Sequence, residues 1–192
     1  MNDIINFSKI DSKILNQIKE LHFNNDFISF VDFINLKENQ VYDFTLQNIS
    51  FGNLSLDKLY KIYKDGRAFS HLIEPWIECN CPILQHIEGC KDHDFVNRLD
   101  NTIKYEAKTW TSNSGLNFQP SNMIGKGRRI DTNKFHDKCN QLIYIIISNI
   151  NFPRIKIKFI KGNELLKIYP KGSSGKSKKE YNNFFGKKLL SD

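Results

Sequence analysis

The sequence predicts an α/β fold: a mixed β-sheet with helices packed on it, preceded by a mainly helical N-terminal extension. Three observations carry this. "LIYIIIS" at 142–148 is a continuous, β-branched apolar run, which suits a strand buried on both faces. "RIKIKFI" at 154–160 alternates strictly, with Ile155, Ile157 and Phe159 on one face and Arg154, Lys156 and Lys158 on the other. Between and before such runs lie segments with helical spacing. From residue 68 the order reads helix, strand, hairpin, loop, helix, strand, strand, which is an α/β arrangement.

Taken in order, Ile10, Ile14, Ile18 and Leu21 recur at helical spacing, and "FISFVDFINL" extends the apolar content as helix or strand. "QVYDFTLQNISFGNLS" reads as extended chain with a turn at Gly52-Asn53. "SLDKLYKIYKDG" reads as a short helix capped by Ser55 and followed by Gly66. "AFSHLIEPWIE" reads as a helix broken or kinked at Pro75. "PILQHIEG" is strand-like, a hairpin follows, and "TSNSGLNFQPSNMIGKGRRID" is a long polar loop. "DTNKFHDKCNQLIY" restarts helical spacing through Phe135, Cys139 and Leu142. "KGSSGKSKK" reads as a mobile basic tail able to meet DNA phosphates; its Walker-like ending has Pro170 where the first glycine is needed. The expected organisation is an N-terminal segment 1–67, a core 68–170 and a tail 171–192 within one compact unit.

The 192 residues are 40% hydrophobic, with 15 Phe and 7 Tyr, so a sizeable core can form. A charged fraction of 26% argues against global disorder, and a net charge of +7 favours polyanionic partners. The longest apolar run, "LIYIII", is too short for a bilayer, so no membrane partner is expected. The N-terminus lacks a secretory pattern, so a cytoplasmic location is expected, with Cys79, Cys81, Cys90 and Cys139 as reduced thiols. Cys79, Cys81 and Cys90 with His86 and His93 lack the paired spacing of a structural zinc site.

The chemistry concentrates in "DFVNRLDNTIKYEAKTWT". A three-residue turn at Leu99-Asp100-Asn101, with Asn101 left-handed, pairs Val96 with Lys104 and Asp94 with Glu106. Asp94, Glu106 and Lys108 then share one face, and Phe95, Asn97, Ile103, Tyr105 and Ala107 the other. A two-residue turn would split the carboxylates and mix polar with apolar residues, so the three-residue register is preferred. Two facing carboxylates repel, and both stay ionised at neutral pH if a cation lies between them. All-oxygen ligation of this kind suits Mg²⁺. A lysine two residues beyond can orient water or stabilise charge at phosphorus. A solvated strand face with a cross-strand ion pair would give the same pattern.

Asp94, eleven intervening residues and Glu106-Ala107-Lys108 on a strand resemble the PD-(D/E)XK nucleases, particularly small type II restriction endonucleases, over residues 68–160. The resemblance implies a restriction-endonuclease-like fold. It implies Asp94 and Glu106 as Mg²⁺ ligands, Lys108 as the water-orienting residue and Glu74 from the preceding helix as an assisting acid. His93 stands where the family's proline precedes the aspartate, and Asp92 shares the parity of Asp94 as its rival. The implied activity is site-specific hydrolysis of double-stranded DNA by a homodimer, with a cognate DNA methyltransferase acting on the same site. A repair or recombination nuclease of the same fold and a non-catalytic basic DNA-binding protein are the alternatives. Candidate DNA contacts are Thr109 beside the motif, the amides of Asn113, Asn117 and Gln119, and the basic group Lys126, Arg128, Arg129, Lys134 and His136. Trp110 is expected in the core.

Overall fold

The computed structural model describes residues 39–46, 49, 51–81, 83–90, 92–119 and 131–186. The helical spacing of Ile10–Leu21 and the segment "FISFVDFINL" lie outside them. The described elements are β1 (Val41–Thr45), α1 (Leu56–Tyr63), α2 (Gly66–Asn80), β2 (Leu84–His86), β3 (Phe95–Asn97), β4 (Lys104–Trp110), α3 (Thr132–Asn140), β5 (Leu142–Ser148), β6 (Arg154–Lys161), α4 (Gly162–Ile168) and α5 (Lys178–Phe185). The strands form one mixed sheet in the order β1-β6-β5-β4-β3-β2. The β4–β5 pair is parallel and the others are antiparallel.

Alternation along the strands sorts side chains into two cores. On one face Phe69, Ile73 and Ile77 of α2 pack with Phe95, Tyr105, Ile145 and Ile157. On the other, α3, α4 and α5 contribute Phe135, Cys139, Leu165, Phe184 and Phe185 around Trp110, Tyr144 and Ile146. The run at 142–148 occupies the interior strand β5, flanked by β4 and β6, as its continuous apolar pattern predicts. The alternation of β6 also holds, with Ile155, Ile157 and Phe159 buried on the α2 face.

Several local expectations change. Ser55 occupies the N-cap of α1 but its side chain makes no capping bond. Gly66 does not end that helix; it starts α2, capped by Asp65, whose Oδ1 accepts from Arg67 N at 3.0 Å and Ala68 N at 3.1 Å. The absent side chain matters, because a Cβ on Gly66 would meet Thr111 Cγ2 at 2.7 Å. Helix α2 runs unbroken through Pro75, which sits exposed, so the missing N–H falls on the solvent side of the helix. Leu142 belongs to β5 and not to α3.

The segment expected as a mobile tail is built into the fold as far as Gly186. Leu116 and Ser174 bond each other twice, at 2.9 Å each, and Phe118 N donates to Gly172 O at 2.9 Å. Ser177 then caps α5, and Phe184 and Phe185 close over Trp110. The first half of the predicted polar loop is likewise pinned, through bridges Thr111–Gly115 and Asn117–Ser173; residues 120–130 are outside the described ones.

Candidate active site

The hairpin takes the register in which Val96 faces Lys104 and Phe95 faces Tyr105. Its turn is made differently from expectation. Asn101 keeps a negative φ, since among described residues other than glycine positive φ occurs at Asn39. The reversal is held by side chain–backbone bonds: Asp100 Oδ1 accepts from Thr102 N at 3.0 Å and Thr102 Oγ1 at 2.6 Å, and Asn97 Oδ1 accepts from Leu99 N at 2.8 Å. Such Asx turns reverse the chain without a left-handed residue.

The ladder ends at Phe95, so Asp94 does not pair with Glu106 as a strand neighbour. Its N–H donates to Tyr105 O at 2.9 Å, and its carboxylate Oδ2 accepts from Ala107 N at 2.8 Å. The Asp94 side chain therefore replaces a strand partner where β4 loses β3, and this fixes one carboxylate oxygen beside residues 106–108. Along β4, Tyr105 and Ala107 point into the α2 core. Glu106 lies on the other face, where its parallel neighbour on β5 is Tyr144, and Lys108 lies beside Ile146.

Lys108 Nζ lies 2.6 Å from Glu106 Oε1. Glu106 is only 8% exposed, which rules out a solvated strand face as the description of this residue. Burial pushes its carboxyl above the usual range, the Lys108 ammonium pulls it back and Asp94 raises it again. Glu74, on α2, is also raised, first by burial and then by Asp94, against the opposing pull of His86, Lys108 and His71. Asp94 and Lys108 thus act on both glutamates, which brings acids from α2, the approach to β3 and β4 into one electrostatic neighbourhood. Asp92 acts on neither; it lines a cleft of about 390 Å³ beside His93, Lys104 and Lys138.

His86, which the sequence offers only as a zinc ligand, is a neighbour of Glu74. Its Nε2 lies 3.4 Å from Glu74 Oε2, its ring packs on Phe95 at 5.2 Å, and its backbone N–H donates to Glu78 Oε1 at 3.1 Å. Arg98 Nη2 holds the same Glu78 oxygen at 3.0 Å. This contact spans α2 and β2, and no spacing rule within the sequence signals it.

Among the described residues, no group of three or more His, Cys, Asp and Glu side chains is placed to hold a metal ion. Asp94 and Glu106 supply two carboxylates, all oxygen donors, in mutual repulsion. That set fits Mg²⁺, which uses one or two carboxylates and fills its remaining positions with waters and phosphate oxygens.

The predicted DNA contacts divide. Thr109 points to the α2 face near Gly66, opposite Glu106 and Lys108, so it is not brought to that pair. Asn113 is exposed in the turn closed by Thr111 and Gly115. Asn117 Oδ1 accepts from Gln119 N at 3.0 Å, and Gln119 Nε2 donates to Lys171 O at 2.6 Å, so these amides fasten the chain to itself. Lys134 is exposed on α3, 3.8 Å from Asp131, and lines the same cleft as Asp92. His136 has its Nε2 buried without a hydrogen-bond partner. Lys126, Arg128 and Arg129 lie outside the described residues. The cysteines are free thiols, Cys79 exposed and Cys81 and Cys139 buried. Trp110 is in the core, as expected.

Comparison with protein families, curated proteins and solved structures finds no match for this chain. Among the described residues no helix is long and apolar enough to cross a membrane.

The raised Glu106 carboxyl gives a stability prediction. A group whose folded pKa lies above its unfolded value contributes stability that is present below the ordinary carboxylate range and is lost as pH rises through the folded value. Glu106→Gln removes that loss. Its melting temperature is expected to match the parent near pH 4 and to exceed it increasingly toward pH 7. A variant less stable than the parent at neutral pH would show that the Lys108 pair outweighs burial.

Proposed function

We propose that this protein is a Mg²⁺-dependent endonuclease acting on double-stranded DNA, of restriction-enzyme type, with a restriction-endonuclease-like core. The observation that carries the reading is the nearly buried Glu106 carboxylate 2.6 Å from Lys108 Nζ, with the Asp94 carboxylate fixed on Ala107 N of the same strand. A fold gains no stability from gathering half-buried carboxylates, so the arrangement is better explained by chemistry than by packing. The helix, strand, hairpin, helix, strand, strand order on a mixed sheet supports the same reading.

Asp94 and Glu106 would hold the metal, which when bound supplies Lewis acidity toward a phosphoryl oxygen and a lowered water pKa. Lys108 orients the attacking water and offsets negative charge gathering at phosphorus. Glu74, with its affinity for protons raised, is suited to receive the proton that the water releases. Water forms the new P–O bond, the ester P–O bond breaks, and the leaving oxygen takes up a proton. Cutting both strands of a symmetric site calls for two such centres and hence a homodimer. A methyltransferase marking the same site would protect the host DNA.

Supercoiled plasmid is the direct substrate. With the purified protein and Mg²⁺ it is expected to convert to nicked and linear forms, and EDTA is expected to prevent this. Discrete fragments identify a site-specific enzyme and a smear a general nuclease. Plasmid left supercoiled after prolonged incubation with either Mg²⁺ or Mn²⁺ would leave a basic DNA-binding protein as the reading.

A further inference from the structure

A cavity of about 360 Å³ opens at the C-terminal end of β4, on the sheet face that carries Glu106 and Lys108 but beyond them. Trp110 contributes to its wall, two residues past Lys108. Four cations line it, Arg154 and Lys156 from β6 and Lys176 and Lys178 around the start of α5, and no carboxylate does. Two acids stand close behind: Asp43, which takes Arg154 Nε at 2.8 Å and Nη2 at 3.0 Å and stands 3.8 Å from Lys156 Nζ, and Glu180, whose Oε2 lies 3.5 Å from Ser177 Oγ. Asp43 thus compensates the β6 pair only in part. Among the described residues Lys176 and Lys178 have no ion-pair partner, and both are exposed.

Two further features favour an anion there. The first-turn N–H groups of a helix have no partners within it, and α5 starts at Lys178, which lines the cavity, while Glu180 N already donates to Ser177 Oγ at 3.1 Å. The segment that brings these groups in is also anchored, because Ser174 and Leu116 bond each other and Asn117 bridges Ser173. A chain with nothing to bind here gains nothing from holding four like charges around a hollow.

We infer that this cavity grips a backbone phosphate of the nucleic acid, apart from the phosphate at the acidic cluster. Lys176, Lys178 and the first amides of α5 close on the phosphate oxygens, and Arg154 with Lys156 sets the positive field behind them. The inference rests on nucleic acid being the partner but not on hydrolysis. It is therefore tested in EDTA, where cleavage plays no part.

The test compares the full-length protein with Lys176→Ala/Lys178→Ala and with Lys58→Ala/Lys61→Ala, which removes the same charge from α1 outside the cavity. Duplex binding by the cavity variant is expected to weaken about tenfold at physiological salt, with the salt slope reduced by about two; the α1 variant should stay close to the parent. Titrating inorganic phosphate should shift the amide NMR signals of Ser177 and Lys178 in the parent and leave those of positions 177 and 178 unmoved in the cavity variant. Equal loss in the two double variants, or unmoved amide signals, would overturn the site. A mononucleotide that binds tighter than the duplex would overturn the assignment to a strand. Because binding is read without metal, a protein that grips duplex but cuts nothing would sink the nuclease and leave this site standing.

Discussion

In Lys108→Ala, plasmid cleavage is expected to fall by about 10²–10³-fold, while duplex binding in EDTA persists. The magnitude is that of removing one preorganised group that faces developing charge. The structure adds a second signature. Lys108 lowers the proton affinity of both Glu106 and Glu74, so its loss moves both carboxyls further up. Residual activity should therefore need a higher pH than the parent's, with the acidic limb of the rate profile displaced upward. Lys108→Arg separates charge from position, restoring the pH profile while leaving the rate low, since a planar guanidinium does not occupy the place of an ammonium 2.6 Å from Glu106. Cleavage by Lys108→Ala at the parental rate would remove the residue from the chemistry.

Trp110→Ala is expected to produce the largest loss of stability, about 3–5 kcal/mol by urea unfolding. The indole is 1% exposed and is surrounded by Tyr169, Tyr181, Phe184 and Phe185, with ring centroids between 5.3 and 6.1 Å away. No side chain in that ring can collapse into the gap without breaking its own contacts, so most of the volume remains as cavity. Against the total stability usual for a domain, about 5–15 kcal/mol, such a loss approaches the whole. A change below about 1 kcal/mol would mean that α5 docks without the indole.

What could be read from the chain follows the range of the forces involved. The strands at 142–148 and 154–161 were legible because their patterning records burial residue by residue. The hairpin register was legible because only one register sorts Phe95, Tyr105 and Ala107 from Glu106 and Lys108. The turn itself was not, since Asp100 and Asn97 close it with side-chain bonds where a left-handed Asn101 was expected. Pro75 misled because a helix tolerates proline where its solvent face can hydrate the orphaned carbonyl. The C-terminal segment misled because its composition is that of a tail, while its order comes from Phe184 and Phe185 meeting Trp110 far back in the chain. The nearness of Glu74 to Asp94 and His86 depends on how α2 crosses the sheet, which no local pattern encodes.

One further consequence lies at the edge of the sheet. Strand β1 finds its partner in β6, with Val41 opposite Lys158. During synthesis β1 emerges well before β6 and waits, its hydrogen-bonding edge open, until β6 has left the ribosome. Pairings this distant in sequence form late and slowly, and an unpaired edge invites association with other chains. The steps at which the nascent chain most needs shielding are therefore set by its first described strand, and the β1–β6 seam is where an interrupted or truncated product is left unfinished.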